Sequence, residues 1–258
     1  MELLGRPIDE PAVNARLDAL VARNARASGG VMEVLNLIGT QAEGLLDRLP
    51  AGARTRIGAV TERALHHAAE AAHGTRATVP DLPAWRARLL TTAMGAAGGM
   101  GGLPTALAEL PVTVTVLMRA IQDVAGDHGF DPSEPGVRFD SITVFGSAGP
   151  LARDDGANLG LIGTRVTLTG AALNALIARV APRLATVLGQ KLAAQTVPVL
   201  GAAAGAATNY AYTRYYQDMA HVHFGLRRLA IEADREMDEM VAAFRARAGD
   251  NERRHPRA

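Results

Sequence analysis

Cysteine is absent from the 258 residues, which excludes disulfides, thiolate metal sites and a cysteine nucleophile. Lysine is almost absent: Lys191 is the only one, so the basic character rests on arginine. Net charge is lacking as well, with 27 basic against 26 acidic residues. No basic excess exists to displace counterions, and nucleic acid is excluded as a partner. Clusters such as Arg227-Arg228 and Arg253-Arg254 read as solvated helix and tail. Aromatics make up only 4%, so the apolar mass is Ala, Leu, Val and Gly, residues that favour close helix–helix contact over a large aromatic core. Standard catalytic signatures are missing too: no Walker A loop, no G-x-S-x-G elbow and no H-E-x-x-H. The start, MELLGRPIDEPAVNARLDAL, has acidic residues and prolines where a secretory signal needs a basic start and an apolar run. The expected location is the cytoplasm, peripheral to or embedded in the inner membrane.

What the chain does have is two long apolar stretches. The first, Leu89 to Met118, carries one charge, Glu109; the second, Leu192 to Thr213, carries none. Gly95/Gly99 and Gly98/Gly102 form overlapping Gly-x-x-x-G pairs, and Gly201/Gly205 is another. Such spacing lets a second backbone approach closely, whereas a glycine in an ordinary helix interior costs about 1 kcal/mol relative to alanine. Close packing is therefore expected, with a break or bend over 101–104, where Gly101-Gly102-Leu103-Pro104 stands. The 22 uncharged residues of the second stretch are long enough to span a bilayer. Their Ala, Gly and Thr content, Pro198 and Asn209 fit a buried bundle helix at least as well.

The remaining pattern is helical throughout. Val13, Leu17, Leu20 and Val21 give an amphipathic helix over about 11–26, and further helices are expected over about 31–49, 53–72, 105–126, 137–145, 158–165 and 168–188. The series Met219, Val222, Leu226, Leu229, Ala233, Met237, Met240, Phe244 predicts one long amphipathic C-terminal helix, followed by a disordered GDNERRHPRA tail. The third helix aligns Glu62, His66, Glu70 and His73 on one face. Glu70-x-x-His73 has di-iron spacing, but its nearest counterpart, Asp218-x-x-His221, is imperfect, and a solvated stripe is the plainer reading. His221 and His223, two apart, diverge on a helix.

Three carboxylates lie on one line of the helix over 105–126. Asp123 and Asp127 are one turn apart and can share a metal ion; Glu109 is about 20 Å away, too far to join them. A carboxylate among apolar residues needs a partner or stays protonated, and Arg119 and Arg165 are candidates. Asp154-Asp155-x-x-Asn158 is reminiscent of a magnesium motif, though it reads better as a helix cap.

The chain resembles the EcsC family in DRLP before the third helix, GAAGGMGG, AELPVTVTVLMRAIQDVAGDHGFD, GLIGTR and VPVLGAAAGAATNYAYTRYYQDMAHVHF. Glu109-Leu110-Pro111 and His128-Gly129 stand where the family carries D-L-P and a tyrosine-glycine pair; Asn209, Tyr210 and Arg214 match its C-terminal pattern. The resemblance implies a helical, apolar protein with a membrane-associated accessory role, linked to an ABC-transporter system, whose partner is a membrane surface or membrane protein. It carries over no catalytic residues. The expected fold is all-α: a single bundle of about eight to ten helices around two apolar Gly/Ala-rich central helices. Residues 1–30 form an N-terminal helix, 31–226 the EcsC-like domain and 227–258 a C-terminal extension. The alternative function is a magnesium-dependent enzyme or carrier for a hydrophobic small molecule such as an isoprenoid diphosphate. In it Asp123 and Asp127 hold the metal, Glu109 donates a proton, and Arg119, Arg165, Asn209, Tyr210 and Arg214 hold the ligand.

Overall fold

The computed structural model describes residues 7–27, 51–74, 84–100, 102–147, 170–194 and 201–254. Among them every regular element is a helix: α1 (10–27), α2 (Ala51–Gly74), α3 (Ala84–Met100), α4 (Gly102–Asp127), α5 (Pro135–Ser147), α6 (Gly170–Ala194), α7 (Gly201–Glu232) and α8 (Met237–Arg254). The expected all-α bundle is the architecture. The helices expected over 31–49 and 158–165, the Asp154-Asp155-Asn158 motif and Arg165 lie outside the described residues.

Local chemistry sets the ends. Asp9 caps α1, its carboxylate accepting from the Ala12 amide at 3.0 Å while its carbonyl accepts from Val13. Asp131 folds the approach to α5 by accepting from the Ser133 amide at 2.8 Å. Pro135 then takes the first helical position, where its missing N–H costs nothing. At the end of α4, Gly129 adopts φ 80°. The amides of Gly129 and Phe130 turn back to the carbonyls of Gly126 and Ala125, a Schellman closure that needs a left-handed residue.

Two apolar cores lie along α7. The first gathers Leu65 of α2, Met118 and Ile121 of α4, Ile142 and Phe145 of α5, Ile177 of α6 and Tyr216 of α7. The second joins Val13 and Leu17 of α1 to Val222, Leu226 and Leu229 of α7 and to Met240, Val241 and Phe244 of α8. α7 is thus the common wall of both, and its most extensive neighbour is α3.

The described residues of each apolar stretch fall in two helices. The first is divided where α3 closes at Met100 and α4 opens at Gly102, within the expected break; the second is shared between α6 and α7. Among the described residues no helix is long and apolar enough to cross a membrane. The C-terminal series is corrected in the same way. Its members Met219 to Leu229 belong to α7 and Met240 and Phe244 to α8, and between the helices Asp234 takes φ 52°. The apolar periodicity survives the reversal because both helices face the same core. The expected tail is corrected in part: residues 249–254 are helical, because α8 runs to Arg254, and 255–258 lie outside the described residues.

Candidate functional site on α7

Residues 205, 209, 213, 217 and 221 follow one another at intervals of four along one stripe of α7, and none is a large apolar side chain. α3 lies on this stripe. A Cβ at Gly95 would stand 2.7 Å from Asn209 Nδ2 and closer still to the Gly205 carbonyl oxygen, so the two backbones nearly touch there. Buried Asn209 donates to the Thr91 carbonyl at 2.7 Å, and the Thr91 and Thr213 hydroxyls meet at 2.8 Å. One turn further Arg88 donates to Gln217 Oε1 at 2.8 Å. A polar seam therefore replaces apolar packing along the closest helix pair.

Where this seam ends, four elements converge. Positions 214, 217, 218 and 221 share one face of α7, and three of them receive a side chain from elsewhere. Arg88 of α3 reaches Gln217; Arg23 of α1 meets Asp218 at 3.0 Å; His128, just beyond α4, places Nε2 3.0 Å from His221 Nδ1. Arg214 lies one turn from Asp218, at 4.0 Å. Burial lowers the His221 pKa, to about 4, and Arg23, His128 and Arg88 act in the same direction. Burial and then Arg228 lower His128 as well, with Asp127 and Glu232 opposing and Arg23 adding to the effect. Burial first, and then the arginines around them, favour the neutral form of both rings.

The opposite side of α7 carries a separate cluster. Asp140 of α5 accepts from Arg227 at 2.7 Å and lies 3.4 Å from Nε2 of buried His223. Burial pushes the Asp140 carboxyl up, but His223 and Arg227 outweigh it and hold the carboxyl below its ordinary range. Arg227 also covers the Phe130 ring at 4.5 Å, so this group reads as a structural tie between α5 and α7. His221 and His223 diverge, as their spacing requires.

The residues singled out by sequence are scattered rather than gathered. Asp127 is exposed at the end of α4, while Asp123 and Arg119 are half-buried along it. The Glu109 side chain lies outside the described residues. Asn209 is committed to the α3 seam, whereas Tyr210 and Arg214 face outward, 42% and, for the side chain, 56% exposed. Glu62 is exposed and His66 half-buried; the side chains of Glu70 and His73 are outside the described residues. Asp218 and His221 are occupied by Arg23 and His128. Among the described residues no three His, Asp or Glu side chains gather to hold a metal. Sequence reasoning missed Arg23, Arg88, Gln217 and His128. The run of polar residues at 209, 213, 217 and 221 was the available signal, since four-residue spacing marks one helix face.

The model of the EcsC protein family matches residues 83–229, from the start of α3 to the last turn of α7, and so takes in the seam, Arg88, His128 and the 214–221 face. No curated protein and no solved structure matches the chain.

Proposed function

The chain belongs to the EcsC protein family, and on that premise we propose that it is a membrane-associated helical accessory protein, working from the membrane surface rather than across it. The observation that supports this is the outer face of α3. Trp85 is 56% exposed and Leu89, one turn on, 59%, with Leu90 beside them at 43%. The Arg86 guanidinium lies over the Trp85 indole at 5.2 Å. An indole, leucines and arginines side by side suit the boundary between headgroups and acyl chains. Burying three half-exposed apolar side chains contributes about 3 kcal/mol. Arg86 adds about 1 kcal/mol at an anionic surface. The total fits reversible docking, not permanent insertion. An ABC-transporter system is the partner that the family resemblance implies.

The magnesium-dependent alternative has less to stand on, because Asp127 faces solvent and no third acidic or histidine ligand joins Asp123 and Asp127 among the described residues.

Trp85 is the only tryptophan, so its fluorescence reports directly on the proposed surface. With vesicles of phosphatidylglycerol and phosphatidylcholine, its emission should move to the blue and the protein should sediment with the lipid. Leu89→Glu should abolish both effects, and an alkaline carbonate wash should strip bound protein. Unmoved emission, with the protein left in the supernatant, sinks the reading.

A further inference from the structure

The meeting point of α1, α3, α7 and the end of α4 is a chemical oddity: a basic, half-buried junction in a protein with almost no net charge. On the 214–221 face of α7 there is one carboxylate, Asp218, and it serves both Arg23 and Arg214. Among the described residues, Arg88 meets the neutral amide of Gln217 and no carboxylate. The next acidic groups are already engaged or exposed. Glu232 is bound by Arg16 and Arg228, and Asp127 is exposed at the last residue of α4. Arg228 also donates to the His128 carbonyl at 2.9 Å, which anchors the His128 backbone.

The two rings have unused capacity. One proton is shared between His128 Nε2 and His221 Nδ1. The outer nitrogens, Nδ1 of His128 and Nε2 of His221, have no hydrogen-bond partner among the described residues. Both rings are half-buried, open on one side to solvent.

From this arrangement we infer that the junction is a binding site for a phosphate group, held by Arg23, Arg88 and Arg214 and by the imidazoles of His128 and His221. Guanidinium forks match phosphate oxygens in geometry and charge. The imidazoles are proton acceptors in waiting: an anion beside them offsets the arginines and makes the charged ring favourable. Binding is therefore coupled to proton uptake. For a singly charged phosphate, whose own charge is constant over this range, it strengthens as pH falls from neutrality towards the His221 value of about 4, and the gain ends there. The groups facing the rings set this balance: Arg23 on α1, Arg88 on α3, Asp127 at the end of α4, and Asp218, Arg228 and Glu232 on α7. Arg88 stands one turn from Trp85 and next to Leu89, so a phosphate in a lipid headgroup and a free phosphate are both within the site's chemistry.

The test uses full-length protein with imidazole-selective NMR at pH 6, titrated with inorganic phosphate against matched chloride, and separately with phosphatidylglycerol vesicles. Phosphate should drive His128 and His221 towards the imidazolium state while His66 and His67 stay unmoved. Arg214→Gln, at an exposed position that folding does not depend on, should weaken binding about tenfold, and Arg88→Gln at least as much. A response to phosphate with Trp85 silent on vesicles keeps the site with a soluble ligand and removes the membrane reading. A Trp85 shift on vesicles with both histidines silent to either probe keeps the membrane reading and overturns the site. Equal shifts in phosphate and chloride also overturn it.

Discussion

Gly95 shows how much a single missing carbon can determine. At most helical positions glycine is a liability, because it leaves the backbone loose in the unfolded chain. Here its absence of a Cβ is what lets α3 lie against the Gly205 backbone and brings Thr91 within reach of Asn209 and Thr213. Gly95→Ala forces the two backbones apart and strains the seam at once, and should destabilise the fold by about 2–3 kcal/mol. Gly58 is the control. A Cβ there meets nothing within 4 Å, inside α2, so Gly58→Ala should stabilise by about 1 kcal/mol. Urea unfolding of both variants checks the pair; equal and opposite-signed shifts from those stated would mean that the seam is not a close crossing. The glycine spacing itself was legible in the sequence. What the spacing could not say is which backbone approaches: the partner lies 110 positions away at Gly205, and spacing carries no record of long-range pairing.

At the scale of elements, helix ends decided where sequence reasoning succeeded. The α3/α4 break was readable because glycines and Pro104 mark it with their own backbone chemistry. The α7/α8 break was not, because it is made by Asp234, a residue that seldom takes the left-handed region, in the middle of an unbroken apolar series. The reversal is closed by backbone bonds, with the amides of Asp234 and Arg235 donating to the carbonyls of Ile231 and Ala230 at 3.2 and 2.9 Å, and the Arg235 side chain pairs with Glu10 and Glu239. Asp234 is exposed, so its side chain contributes little and its backbone geometry is the cost. Asp234→Gly should therefore stabilise by about 0.5–1 kcal/mol, read as a raised midpoint in thermal unfolding, with the fold and α8 docking unchanged. A lowered midpoint would show that the aspartate is held there by something other than its backbone. The candidate site follows the same logic. Its α7 half lay in plain view at four-residue spacing, whereas Arg23, Arg88 and His128 come from three other elements and only the packing brings them together.

For the whole molecule, the junction of His128 and His221 is where the two cores meet. α1 rests on the second core through Val13 and Leu17 and is tied at its far end by Arg23 to Asp218, beside the rings. An unfolded histidine takes its proton near the ordinary value of 6.5, but folded His221 does so only near about 4. Between those values the unfolded chain holds more protons than the folded one, so stability falls as pH drops from about 6.5 towards 4 and levels off below. His128, lowered in the same sense, adds to the slope. Protonation places positive charge against Arg23 and Arg88, so the first structural effect should be loosening of α1 rather than of the α4–α6 core. Hydrogen exchange across this pH range should show α1 amides losing protection before those of α4, and His221→Asn should flatten the stability profile while shifting it uniformly. An unchanged slope in that variant would place the acid sensitivity of this range elsewhere than in His221; the Asp140 tie between α5 and α7 acts only below it. That group is separable, since its carboxyl is held below the ordinary range and its contribution is lost only at lower pH, as the carboxylate itself takes a proton.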